Sequence, residues 1–514
     1  MNLVKGLVEL IHSNKIYIPE LRESILQHPK LSVLYEGFIS GRFKDDEDAA
    51  QQIYNSTKRH SAYLKLKNNL RRRLVDAVFF IDTVKENYSD RQKAYFECYK
   101  EWAAAKIILS RNTQPAAMMM LEQILKKAEI FEFTDLVTDI VRALRIHYGT
   151  REGVLDKYHY YNELYHKYWK IVSWEDRAEE LYAFLMVNYV QNKSLKNSIQ
   201  ENAMLFYEEL QPAVEEFGTY RLLLYSGLIR LITYSSVNDY EQILKVCDDM
   251  LTQFSKKPYT PGVPIQIFNY QQLVCFIQLK DFNRGRDALP RFLALVEQGS
   301  FNWFKYHELY LQLAFHTANY QDAYTILPKV FKEKSYHLLP ASTKEIWNLN
   351  LAYAVFLQRE EKISLPQDDT LFKNFRLGKF LNAIPILSKD KRGMNVSILI
   401  LHMLFLLQEQ KYDDVIDRIE AVQKYCSRYL KHNELFPSNS FINMLLEIPI
   451  QNFHPVAVKR HTDKYLQKLT QAPLEVTQQT VEIEIIPYED LWKIIITHLE
   501  NSESKKDRSD LIKF

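Results

Sequence analysis

Two Glu-x-x-His pairs, Glu9/His12 and Glu163/His166, are the residues whose types and spacing come nearest to metal chemistry. Glutamate and histidine three apart share one face of a helix, and a helical di-iron site uses two such pairs with two further glutamates. Glu9 falls on the first helix, so no helix ahead of it supplies the glutamate that should precede the motif. The two pairs also stand more than 150 residues apart. No metal site is expected. GxxxxGK followed by Ser or Thr is absent, as are GxSxG, GxGxxG and HExxH. The expectation is a chain without catalytic, cofactor or metal residues. Four cysteines, Cys98, Cys247, Cys275 and Cys426, form no CxxC pair and read as small buried hydrophobes in a reducing compartment.

One segment could contact phosphate. "KRHSAYLKLKNNLRRR", Lys58 to Arg73, carries seven basic residues (Lys58, Arg59, Lys65, Lys67, Arg71, Arg72 and Arg73) and no acid. On a helix, Tyr63, Leu66, Leu70 and Leu74 form the buried stripe, with Lys58, Lys65 and Arg72 to one side and Lys67 and Arg71 to the other. Two readings stand: a phosphate-contacting surface, or a solvated amphipathic helix whose lysine stems cover apolar edges. The second is favoured. "DDED", Asp45 to Asp48, lies just upstream to neutralise it, and no aromatics interleave with the charges as base stacking requires.

The elements that would position such residues are helices. Of 514 residues, 47% are hydrophobic and 25% charged, close to an ordinary globular chain, but only 12 are glycine. Tight turns, bulges and phosphate loops consume glycine for its positive φ, so the chain favours helices joined by short loops over sheets. The 33 Tyr and 28 Phe suit packing between helices. A formal charge of +2 exerts no global pull on nucleic acid or acidic lipid. The start, "MNLVKGLVELIHSNK", has no secretory signal pattern. The longest apolar run, Ile398 to Leu407, is half the length that crosses a bilayer. It reads as a helix buried on most sides, with His402 a satisfied core histidine. A cytoplasmic protein away from membranes is expected.

"NYQDAYTIL", Asn319 to Leu327, shows the repeating unit: Tyr320, then Ala323, then Leu327. Offsets of three and seven make one helical stripe. The same pattern recurs at Phe282/Gly285/Leu289, Phe380/Ala383/Leu387 and Tyr412/Val415/Ile419. Looser copies are Tyr240/Ile243/Cys247 and Phe133/Leu136/Ile140. The small residue lets a neighbouring helix come close, and the polar residue before each aromatic suits the turn. A second helix precedes most copies, and stacked pairs share a core that neither helix could bury alone.

This resembles the tetratricopeptide-repeat superfamily, whose pattern of a small residue, an aromatic two later and alanine three after that is matched by Gly378, Phe380 and Ala383. The spacings between aromatics from Tyr240 to Tyr412 are 42, 38, 60 and 32 residues, against about 34 in the family. The family's early tryptophan and helix-ending proline are mostly missing. The resemblance covers roughly Pro115 to Leu430 and implies an α-solenoid of antiparallel helix pairs, with Gly378 in the left-handed conformation that ends a helix. It implies no ligand.

The expected organisation is an N-terminal helical region (1–114), repeats (115–430), a helical and extended cap (431–500) and a disordered tail (501–514). "KKPYTPGVP", Lys256 to Pro264, reads as a long surface loop or hinge. "VEIEII", Val481 to Ile486, alternates with period two and reads as a short strand in an otherwise all-α chain. The functional expectation is a non-enzymatic scaffold that binds another protein or peptide on a helical-repeat surface. The alternative is a nucleic-acid-associated protein using the basic helix.

Overall fold

The computed structural model describes residues 2–13, 28–80, 89–111, 114–191, 196–383, 394–419, 437–471 and 484–511. Those residues form helices and turns and no strand, so the chain is all-α. In order the helices are α1 Asn2–Ser13, α2 Pro29–Ile39, α3 Asp46–Tyr54, α4 Ser61–Val78, α5 Asp90–Leu109, α6 Gln114–Ile130 and α7 Thr134–His147, then a π-helical turn, Tyr148–Glu152. They continue with α8 Leu155–Gln191, α9 Lys196–Phe217, α10 Tyr220–Ser235, α11 Tyr240–Ser255, α12 Gly262–Gln278, α13 Phe282–Leu293, α14 Phe301–His316 and α15 Tyr320–Lys332. A 3₁₀ turn, Lys334–Leu338, leads to α16 Ala341–Arg359, α17 Leu377–Ala383, α18 Met394–Gln408 and α19 (412–419). The last three are α20 Pro437–Ile450, α21 Pro455–Gln471 and α22 Tyr488–Leu511, the last running into the stretch whose polarity suggested a disordered tail.

Two compact units result. Unit 1 is Met1–Ala178 with Glu215–Leu222 and Lys257–Pro261; unit 2 is Glu179–Val214, Leu223–Lys256 and Gly262–Phe514. The boundary expected at 114/115 falls inside unit 1, because Cys98 and Ala105 of α5 share one core with Leu121 and Leu125 of α6 and Val137 of α7. The segment expected as a surface loop or hinge, Lys256 to Pro264, is where the chain passes from unit 2 into unit 1 and back; within unit 1 Tyr259 is buried and Lys257 partly buried.

The repeat turns explain the scarcity of glycine. Asn238, Lys280, Ala318 and Gln410 are left-handed, with φ of 58°, 51°, 56° and 54°. Each stands two residues before a repeat aromatic. The next backbone N–H donates back to close the preceding helix: Asp239 to Tyr234 O at 3.0 Å, Asp281 to Phe276 O at 2.8 Å, Asn319 to Ala314 O at 2.9 Å and Lys411 to Leu406 O at 2.9 Å. This is the Schellman closure, which glycine ordinarily serves. Here non-glycine residues carry it against a steric cost of about 1–2 kcal/mol each. Asp239 and Asp281 then cap the following helix, their carboxylates accepting from Gln242 N and Arg284 N.

Gly378 does none of this. It is the second residue of α17, has no positive φ, and an added Cβ would meet nothing within 4 Å. Phe380 is buried but lies inside α17 rather than at a turn. The side chain of Ala383 and all of Leu387 lie outside the described residues.

Within unit 2 the two helix types divide the burial. α14, α16 and α18 are apolar on nearly all sides and form the centre, as Leu313, Leu349 and Leu401, all with no exposed surface, illustrate. Helices that begin with the repeat aromatic bury one stripe. In α15, Tyr320, Ala323 and Leu327 are buried. In α13, Gly285 lets α14 approach so closely that a Cβ there would stand 2.1 Å from Leu313 Cδ2, and Phe282 stacks on Tyr310. The Tyr412 ring packs against that of Phe453 in a tilted contact, centroids 4.2 Å apart. The apolar run of α18 is buried as its composition demands, but His402 is only partly buried and its buried Nδ1 has no partner among the described residues.

The predicted strand is corrected in part. Val481 and Ile483 lie outside the described residues, and 484–486 is irregular backbone docked on helices. His316 Nε2 donates to Glu484 O at 2.8 Å, Ile485 and Ile486 are buried, and Glu484 Oε1 accepts from Tyr488 N at 2.7 Å to start α22. Apolar residues wedged between helices need no alternation partner; the backbone is satisfied by a histidine and a helix start.

Candidate functional site

The basic segment lies on α4 and just before it, with Tyr63, Leu70 and Leu74 buried as the stripe requires. Acids of α3 take up part of its charge. Lys67 Nζ is 2.9 Å from Asp46 Oδ2, Tyr63 OH donates to Asp46 Oδ1 at 2.7 Å, and Lys58 Nζ is 3.7 Å from Glu47. Burial works against the Asp46 charge, yet the bonds from Lys67 and Tyr63 hold its carboxyl down at about 2. Arg71 and Arg73 donate to Asn68 and Asn69. Arg59, Lys65 and Arg72 are exposed and form no ion pair among the described residues. Of the other nominated pair, Glu163 and His166 are exposed on α8, and the side chains of Glu9 and His12 lie outside the described residues.

A polar node in unit 1 has no counterpart in any sequence motif. Glu132, itself left-handed at φ 57°, accepts from Lys257 Nζ at 2.6 and 2.9 Å, from Tyr259 OH at 3.0 Å and from Tyr220 N at 2.6 Å. Lys257 also donates to Gly218 O at 2.7 Å. The Arg91 guanidinium lies 3.7 Å from the Tyr220 ring centroid and 4.9 Å from that of Phe133. Nearby, Glu175 is fully buried and accepts from Thr134 Oγ1, from Thr219 Oγ1 at 2.5 Å and from Arg221 at 3.4 Å. Burial pushes the Glu175 carboxyl up, opposed by the two threonine bonds and by Arg221. A buried acid with a raised pKa is chemistry that a catalyst uses. Here both carboxylates are filled by protein donors, so the arrangement pins the 218–221 and 257–259 segments rather than presenting a reactive atom.

An apolar cleft of about 380 Å³ opens in unit 1 beside the π-turn. Gly149 and Gly153 shape it: a Cβ on Gly149 would stand 2.9 Å from the Tyr158 ring, and Gly153 closes the turn at φ 66°. Its walls are fixed from behind. Tyr148 stacks flat on Tyr161, donates to Glu122 at 2.8 Å and accepts from Lys157 at 2.9 Å. Arg145 lies over the Tyr165 ring at 4.2 Å. At the mouth, Ile146, Val154 and Leu155 are 54%, 37% and 67% exposed. Exposed aliphatic side chains around a preformed concavity suit another protein's apolar side chains. The two glycines in "YGTREG" signal a turn in the sequence, but nothing there signals the cleft.

No helix among the described residues is long and apolar enough to cross a membrane. Comparisons with family models, with curated proteins and with solved structures give no match.

Proposed function

We propose that this chain is a non-enzymatic binding scaffold, built of tetratricopeptide-like helix pairs, that seats an apolar segment of another protein in the cleft beside the π-turn. The observation that carries the reading is the cleft itself: three exposed aliphatic residues around a concavity whose walls are held by stacking and hydrogen bonds. Adjacent helices packed in sequence order, with closures two residues before Tyr240, Phe282, Tyr320 and Tyr412, support the repeat architecture. Unpaired buried thiols suit a reducing cytoplasm. Burial pushes Cys98 up to about 11 and Cys275 to about 12.

The test is capture from native lysate by the unmodified protein and by an Ile146→Asp/Leu155→Asp variant. Both side chains are exposed, so the variant keeps its helical circular dichroism. A partner held by the unmodified protein and lost by the variant is the expected result; identical capture by both overturns the reading. The exposed Arg59, Lys65 and Arg72 keep a second reading, nucleic-acid association, in play. It requires binding that weakens steeply with salt, and absence of any binding at low salt retires it.

A further inference from the structure

Unit 2 holds a second concavity, of about 410 Å³, with a different lining. Its floor is Trp303 and His307 at the start of α14, their ring centroids 4.0 Å apart. Lys329 and Lys332, one turn apart at the end of α15, form one wall, and Gln298 and Glu333 stand at the rim.

Each polar group's commitments are legible. His307 is 4% exposed, and its Nδ1 lies 2.9 Å from Trp303 O, so Nδ1 carries the hydrogen and Nε2 is the bare acceptor of a neutral ring. Nε2 has no partner among the described residues although the ring lines the cavity. Lys329 and Lys332 are exposed and make no ion pair among the described residues. Glu333 makes no ion pair with them among the described residues: it accepts from Gln298 Nε2 at 2.8 Å and from Ser335, neutral donors that leave its own negative charge at the rim. Those bonds, Gln298's first, hold its carboxyl down. Burial lowers the His307 pKa against the bond to Trp303 O, and the Lys329 charge lowers it further. The cavity therefore sets two lysines against one carboxylate, with the unpartnered Nε2 of His307 at its floor.

We propose that this cavity binds an oxyanion of the phosphate class, inorganic phosphate or a phosphate monoester, between the Lys329 and Lys332 ammonium groups, with the His307 ring at its third side. The bound anion offsets the repulsion from Lys329 and so favours the protonated ring, in which Nε2–H becomes a third donor. Trp303 and Leu293 leave an apolar wall suited to the organic part of a monoester. The site is separate from the cleft of unit 1 and stands or falls independently of the scaffold reading.

Calorimetric titration of the full chain at constant ionic strength, balanced with chloride, tests this with three probes: inorganic sulfate, inorganic phosphate and phenyl phosphate. Sulfate keeps its charge over the range used, so tighter sulfate binding at about pH 5.5 than at about pH 7.5 reports the proton taken up by His307. Lys329→Gln/Lys332→Gln, changed only at exposed positions, weakens every probe by about tenfold or more, as loss of charge-assisted hydrogen bonds demands. Phenyl phosphate binding tighter than phosphate assigns a monoester; equal binding assigns the free anion. No saturable heat with any probe, unchanged affinity in the double variant, or sulfate affinity independent of pH overturns the proposal.

Discussion

The Glu132–Lys257 node of unit 1 and the α13–α14–α15 seam of unit 2 hold helices together by opposite means. In the node, charged groups are largely withdrawn from water and bound to one another through several partners. In the seam, Gly285 and Ala323 carry no functional group at all, and closeness of approach does the holding. A buried ion pair is weak evidence for net stability but costs heavily when half of it is removed. A packed seam tolerates loss of charge and is sensitive to volume. The two regions therefore fail under different substitutions.

Removing half of the node gives the largest effect. Lys257→Met leaves the partly buried Glu132 without its cation, a loss of up to about 3 kcal/mol. Adding Glu132→Gln recovers much of it, because the uncompensated charge is gone. Thermal unfolding of both variants measures this, and a double variant no better than the single one would break the contrast.

Acid attacks the other unit. His316 is buried in the apolar centre, where burial, and secondarily the nearby Lys280, bring its pKa down to about 4 against the bond to Glu484 O and the charges of Glu489 and Asp490. The unfolded chain, with an ordinary value near 6.5, takes the proton first. Stability is thus complete above about pH 6.5, falls through the interval down to about pH 4, and levels off below, a loss of roughly 3 kcal/mol from this group. Melting temperature against pH should show that slope, and His316→Gln should flatten it. An unaltered slope would leave the acid sensitivity to other groups.

Overpacking comes next. Ala323→Phe places a ring where α14 and α15 meet and costs about 2 kcal/mol, read as a lowered melting temperature. The smallest effect is a gain. Ala318→Gly relieves the left-handed strain at one turn and adds about 1 kcal/mol, whereas Gly285→Ala, equally conservative in size, should destabilise by crowding Leu313. Should Ala318→Gly lower the melting temperature, the seam turns are not strained as described.

What the sequence disclosed follows the same division. The stripe of Tyr320, Ala323 and Leu327 was legible because a helical face is a local property with a fixed period. The turns before those aromatics were half legible: their position shows in the aromatic, but their left-handed residue does not, since Asn, Lys, Ala and Gln occupy it with no common chemistry. Taking Gly378 for that residue failed because glycine was the usual occupant and here is not used. Alternation at Val481 to Ile486 suggested a strand, yet at 484–486 apolar residues are inserted between helices, which a period cannot distinguish. The node was invisible, because Tyr220, Lys257 and Tyr259 come to Glu132 from 88, 125 and 127 residues away. The two concavities escaped for a different reason: their linings come from short stretches of chain, but from residues ordinary in themselves.

The docking of residues 484–488 on His316 has a consequence for synthesis. The histidine leaves the ribosome 168 residues before the carbonyl that accepts its hydrogen bond. At about 5–20 residues per second that is a wait of roughly ten to thirty seconds. Throughout it, the part of the apolar centre that Ile486, Tyr488 and Leu491 will cover stays open to water. Unit 2 is completed only after its late residues arrive, and during that interval the nascent chain exposes apolar surface that the finished fold buries.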